Sequence, residues 1–68
     1  MDRATELAIR AVICGLYHGG VLDVSHLRSV MQAIRTAQRG SLDRQLPETA
    51  AELDALVMGI VADTAVDE

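Results

Sequence analysis

The chain has 68 residues, of which half are hydrophobic and one, Tyr17, is aromatic, and its formal net charge is −4. It is too short for two domains or for a barrel that encloses a substrate, and too apolar for a disordered acidic tail. A single cysteine, Cys14, excludes an intramolecular disulfide, no run of about 18 apolar residues predicts a transmembrane helix, and a start that contains Asp2 and Arg3 is unlike a signal peptide.

The first predicted helix covers residues 2–18. Asp2 lies near its start, where the helix dipole favours anions, and Gly19–Gly20 are expected to end it in a left-handed cap. At 100° per residue, its polar residues form one narrow stripe: Arg3, Glu6, Arg10 and Tyr17. A helix that is otherwise apolar is normally buried, and three helices of one chain cannot cover both of its flanks. The flank residues predicted to contact a second copy are Ile9, Val12 and Leu16.

The second predicted helix covers residues 23–39. Asp23 is a good N-cap, and Leu22 with Leu27 fits a hydrophobic staple across the helix start. Its apolar residues recur on one face: Leu27, Val30, Met31, Ile34 and Ala37. A cation followed by Gly40 is typical of a helix end. The short link after the first helix predicts that the first two helices form an antiparallel hairpin.

Residues 40–46 are predicted to be a loop, with one turn of helix around Leu42 as an alternative, followed by a third helix over residues 47–64. Proline suits the first position of a helix, although a capping box over residues 49–52 would also allow a later start. The predicted core face of this helix is Leu53, Leu56, Val57, Ile60 and Val61. A second stripe, roughly 150° away, is predicted to take part in self-association: Ala51, Ala55, Met58 and Ala62. Residues 66–68 are expected to fray.

The second helix also presents a stripe of long polar side chains. Its members are Arg28, Gln32, Arg35 and Arg39. Arginine forms bidentate bonds to carboxylates and phosphates, so the stripe is either a docking surface for a partner, with Tyr17 as an anchor, or a solvated helix face. Specific DNA binding by a dimer that doubles the stripe is an alternative, although a net charge of −4 disfavours it.

Other residue constellations give weaker signals for chemistry. Cys14, His18 and His26 are zinc-ligand types that Asp23 could complete, but the paired, closely spaced ligands of a zinc motif are absent, and we interpret them as a buried cysteine with two helix-end histidines. The acids of the third helix are interpreted as a solvated face. We therefore expect no metal, no cofactor and no enzymatic activity.

These patterns predict one all-α domain, residues 1–68: an antiparallel helical hairpin plus a third helix, in the cytoplasm. A lone core of this size rarely supplies more than about 3–5 kcal/mol, so completion by homodimerisation is expected. The predicted function is a non-enzymatic protein–protein interaction module of regulator, inhibitor or adaptor type, acting as a homodimer or docking on another protein. The alternative is a small dimeric DNA-binding regulator that uses the arginine stripe. Neither nucleic acid nor membrane is the expected partner.

Overall fold

A computed structural model describes residues 1–68 and confirms an all-helical chain of three helices without strands. Helix α1 is Arg3–His18, α2 is Val24–Asp43 and α3 is Pro47–Thr64. The structure confirms the start predicted for each helix to within a residue. It places the end of the second helix four residues beyond the predicted one.

The starts of α1 and α2 follow from local side-chain hydrogen bonds, whereas the start of α3 follows from a proline. The Asp2 carboxylate accepts the backbone N–H of Thr5 at 2.6 Å. Asp23 forms a reciprocal capping box, because its carboxylate accepts the N–H of His26 at 3.0 Å while its own N–H donates to Nδ1 of His26 at 3.1 Å. Helix α3 has no side-chain cap and begins with Pro47, so the alternative start at Thr49 is wrong.

The first two helices end in the same way: one residue adopts a positive φ, and the N–H of the next residue donates to the carbonyl five positions before it. After α1, Gly20 adopts φ +83°, and the N–H of Val21 donates to the carbonyl of Leu16 at 2.9 Å. After α2, Gln45 adopts φ +60°, and the N–H of Leu46 donates to the carbonyl of Ser41 at 2.8 Å.

The predicted end of α2 at Arg39–Gly40 is therefore wrong. A lone glycine weakens a helix by about 1 kcal/mol but does not stop it. The stop comes from Pro47, whose ring disfavours helical backbone angles at Leu46. The predicted loop over residues 40–46 thus shrinks to residues 44–46.

Helix α3 lies between the other two and packs against both. It is parallel to α1, since the pairs Met1–Glu52 and Arg10–Asp63 follow both helices in the same direction. It is antiparallel to α2, because a three-residue turn joins one end of the pair and Arg28 meets Asp67 at the other. The packed hairpin is thus α2 with α3. The antiparallel direction predicted for α1 and α2 is confirmed, but their packing as a hairpin is wrong, because α1 is held by α3 and makes no comparable contact with α2.

The hydrophobic core is small and lies mainly between α2 and α3. Its buried members are Leu27, Met31, Leu56, Val57, Ile60 and Val66. Half-buried side chains pack against it: Ile9, Ile13, Tyr17, Leu22, Ile34 and Val61. Two expectations are wrong, since Val66 is buried rather than frayed and Ala37 is exposed rather than in the core. Helix α1 contributes no buried residue, and the molecule is flattened, at 37 × 24 × 15 Å.

Candidate interaction surfaces

One side of α1 is apolar and open to solvent over the whole length of the helix. Its large side chains are Leu7, Val12 and Leu16, which are 44%, 60% and 39% exposed. Small exposed residues lie between them: Ala4, Ala8, Ala11 and Gly15. We call these seven residues the α1 face. At 100° per residue, the exposed polar side chains of Thr5 and His18 lie on the same side of α1, near its two ends, and no Asp, Glu, Lys or Arg lies among the seven residues.

A shallow recess of about 260 Å³ lies beside the α1 face. Its lining is wholly hydrophobic and comes from one helix: Ala8, Ile9, Val12 and Ile13. Ile9 and Ile13 are also half-buried against the core. Of the α1 residues assigned to self-association, Val12 and Leu16 are thus exposed, whereas Ile9 forms a wall between the recess and the core.

The opposite side of α1 is attached to α3 by an ion pair, in addition to the half-buried side chains that pack against the core. Nε and Nη2 of Arg10 each donate to a carboxylate oxygen of Asp63 at 2.9 Å, a bidentate arrangement. The hydrogen bonds from Arg10 hold the pKa of Asp63 below its ordinary value. The arginine crosses α3 at Gly59, where a Cβ atom would lie 2.5 Å from Nε of Arg10.

This attachment places the polar stripe of α1 on the side of the helix that faces α3. Glu6, Arg10 and Tyr17 are the half-buried side chains of that stripe, and the α1 face is in solvent. The sequence signal was present but divided between helices: an arginine on α1, with a glycine and an acid four residues apart on α3. Gly59 and Asp63 are the α3 residues of this attachment, which the sequence pattern did not predict.

The second predicted self-association stripe is exposed on α3. Met58 is 53% exposed, and the three alanines of the stripe are also open to solvent: Ala51, Ala55 and Ala62. Asp54 and Val61 border this stripe and are half-buried. The stripe therefore remains available for contact with another molecule.

The arginine stripe of α2 is largely engaged within the chain. Nη1 of Arg35 donates to Asp54 at 2.5 Å and to Gln38 at 2.8 Å. Its Nε donates to Glu68 at 2.8 Å, and Nη2 meets the other oxygen of the same carboxylate. These bonds, first to Glu68 and then to Asp54, raise the pKa of Arg35, and the Arg35 guanidinium lowers the pKa of Glu68.

The other members of the stripe differ in their surroundings. Nε of Arg28 donates to the backbone carbonyl of Asp67 at 3.4 Å. Gln32 is exposed, and Arg39 is exposed without a hydrogen bond or ion pair to another residue. Tyr17 lies on α1, half-buried against the core, with its ring centroid 5.2 Å from that of His18. The predicted partner-binding stripe thus faces a segment of its own chain.

The zinc-ligand residue types do not converge. Cys14 is half-buried on α1, His18 is exposed, and His26 belongs to the capping box of α2. No group of three or more His, Cys, Asp or Glu side chains comes together anywhere in the structure. A second recess, of about 290 Å³, is lined by residues 45–49, among which Glu48 is the only titratable side chain.

No helix combines the length and the apolar character needed to cross a bilayer. Comparison of the chain with protein-family models, with curated proteins and with solved structures gives no match. Function therefore has to be inferred from the surfaces described above: the α1 face, the α3 stripe and the arginine stripe of α2.

Proposed function

We propose that this chain is a non-enzymatic helical interaction module, of regulator, inhibitor or adaptor type, that acts as a homodimer through the α1 face. The observation that carries the proposal is that a 16-residue helix contributes no buried residue while Leu7, Val12 and Leu16 stand in solvent. Contiguous exposed apolar surface is a feature of sites that contact another protein, a membrane or a ligand.

The pattern of the α1 face favours a second copy as the occupant. In an antiparallel pair of α1 helices related by a two-fold axis, residues whose numbers add to 19 lie opposite each other. This register places Leu7 against Val12, Ala8 against Ala11 and Ala4 against Gly15, while Leu16 lies against Arg3 at the two ends of the contact. Small residues then meet small ones, so the two backbones approach closely, and the two helix dipoles oppose each other favourably.

The α1 face alone provides less area than a standard dimer interface. A 16-residue helix is about 24 Å long and about 10 Å wide, a footprint well below the roughly 800 Å² that each partner buries in a standard interface. The exposed α3 stripe, centred on Ala55 and Met58, lies on a different side of the molecule, because the α1 face points away from α3, and we propose it as a second contact between copies.

The test is the mass of the protein in solution. Sedimentation should show a dimer that dissociates on dilution, and the melting temperature should rise with protein concentration. Val12→Glu should raise the dissociation constant at least tenfold, because each copy would bury an unpaired carboxylate. Leu42→Glu is the matched control, since Leu42 is 54% exposed on α2 and lies outside the interface. A monomer at every concentration, or equal effects of the two variants, refutes the proposal.

A second pair of variants tests the contribution of α3. Ala55→Glu should weaken self-association, whereas Ala33→Glu, on an exposed position of α2, should leave it unchanged. No observation favours the DNA-binding alternative. The central arginine of the stripe, Arg35, is already bonded to Asp54 and Glu68, and the chain carries a net charge of −4.

A further inference from the structure

The chain reverses direction after α3 and returns to the hydrophobic core. Ala65 adopts the left-handed conformation, φ +57°, and its N–H closes the helix on the carbonyl of Val61 at 2.8 Å. The hydroxyl of Thr64 donates to the carbonyl of Ile60 at 2.8 Å and accepts the N–H of Val66 at 3.3 Å. Val66 is thereby set into the core cluster, with 7% of its surface exposed.

The two residues that follow lie along the arginine stripe of α2. The carbonyl of Asp67 accepts from Arg28, and the carboxylate of Glu68 receives both Nε and Nη2 of Arg35. Residues 65–68 therefore lie against α2 and against the edge of the core, which we define as the part of the core cluster that Val66 contacts. They resemble a short peptide ligand, with Val66 as a branched apolar anchor and the acidic side chain of Glu68 two positions after it. Bidentate arginine–carboxylate contacts of this kind provide geometric specificity.

We propose that Arg28, Arg35 and the core edge that receives Val66 form a binding site for acidic peptides of a partner protein. The peptide class is a branched apolar residue followed, two positions later, by glutamate. Residues 65–68 occupy the site in cis, and a partner peptide displaces them. This inference goes beyond the homodimer and stands whether or not the chain dimerises.

The cis segment is held weakly enough to be exchanged. Ordering four residues costs more conformational free energy than the burial of one valine returns. Its ion pair is solvent-accessible, with the Arg35 and Glu68 side chains 24% and 40% exposed, and pairs of that kind add little. Arg35 keeps Asp54 and Gln38 as partners when Glu68 leaves, so the site remains organised. Arg39, unpaired nearby in sequence, adds a cation for a longer acidic peptide.

The experiment measures binding of a fluorescently labelled synthetic peptide with the sequence of residues 64–68 to the full chain. Val66→Ser with Glu68→Gln weakens both contacts of the cis segment, and the variant should bind the peptide about tenfold more tightly than the unmodified chain does. The factor reflects an intramolecular competitor at an effective concentration in the millimolar range. Glu68→Gln alone, which leaves the core intact, should give a smaller gain of about twofold to threefold.

Two controls connect the binding to the proposed site. Adding Arg35→Ala to Glu68→Gln should abolish the gain, whereas Arg3→Ala, on an exposed arginine of α1, should leave it unchanged. A peptide with glutamine in place of its glutamate should bind about twofold to threefold more weakly, the same factor that Glu68→Gln changes in the cis segment. The inference is overturned if Glu68→Gln binds the peptide no better than the unmodified chain, if Arg3→Ala and Arg35→Ala have equal effects, or if single-stranded DNA competes while an unlabelled acidic peptide does not.

Discussion

The position of the end of α2 can be tested by two substitutions whose effects the sequence and the structure predict with opposite signs. Gly40 lies within α2, and a Cβ atom added there meets nothing within 4 Å. Gly40→Ala should therefore stabilise the protein by about 0.5–1 kcal/mol, the difference in helix propensity. If the helix ended at Gly40, alanine would be strained in a left-handed cap and the same change would destabilise it.

Gln45 occupies the left-handed position that ends the helix, with φ +60°. A side chain in this conformation costs about 1–2 kcal/mol of stability, a cost that glycine avoids. The greater freedom of glycine in the unfolded chain offsets about 0.4–1 kcal/mol of that stabilisation. Gln45→Gly should therefore stabilise the protein by roughly 0.5–1 kcal/mol. For a domain of this size, that corresponds to an increase in melting temperature of about 2–8 °C.

The assay is thermal unfolding followed by circular dichroism at one fixed protein concentration, because association would otherwise shift the midpoint. Gly20→Ala is the internal control: at φ +83° it should destabilise, since alanine replaces glycine in a true left-handed cap. A lower midpoint for Gly40→Ala, together with no gain for Gln45→Gly, would refute the assignment of residues 40–43 to α2.

Two further predictions concern the attachment of α1 and the segment after α3. Because Arg10 holds the pKa of Asp63 below its ordinary value near 4, the pair stabilises the fold above that value and its contribution is lost as the pH falls through the lowered pKa. Near-ultraviolet circular dichroism of Tyr17 should therefore decrease below about pH 4, and an Asp63→Asn variant should show a reduced signal already at pH 7. Val66→Ala removes two buried methyl equivalents and should cost about 1.5 kcal/mol in urea unfolding. An unchanged midpoint would mean that residues 65–68 are frayed.

Local signals in the sequence predicted the helix content and the starts of the helices. Asp23 with its capping partner and Pro47 at a first helical turn act over a few residues, so their effects could be derived without tertiary information. The end of α2 was missed because two local signals compete, a glycine at position 40 and the Leu46–Pro47 pair, and only the backbone angles show which one ends the helix.

The packing order of the helices could not be derived in the same way. A short link favours contact between neighbouring helices, but the ion pair of Arg10 with Asp63 spans 53 positions and attaches α1 to α3 instead. The segment after α3 was assigned to fraying because terminal residues usually fray. The burial of Val66 depends on a left-handed turn at Ala65, a conformation that an alanine residue does not favour and that the sequence therefore does not indicate.

The amount of exposed surface does not by itself require a dimer. The chain exposes 4359 Å², close to the roughly 4,200 Å² expected for a folded monomer of its size. What is unusual is the distribution, since one whole helix has no buried residue while its apolar side faces water. The proposed dimer therefore depends on the location and self-complementarity of the α1 face rather than on a general excess of apolar surface.

The two proposed contacts lie on different helices and should act independently. The α1 face belongs to the helix that α3 holds through Arg10, whereas the peptide site belongs to α2 and residues 65–68. Val12→Glu should therefore change the mass in solution without changing peptide affinity, and Arg35→Ala should do the reverse. In a chain with both substitutions, the free energy of dimerisation should change as in Val12→Glu alone, and the free energy of peptide binding as in Arg35→Ala alone, each to within about 0.5 kcal/mol, as expected for separate sites. Sedimentation and peptide titration on the four proteins measure both quantities, and a coupling above 1 kcal/mol would show that dimerisation and peptide binding use one surface.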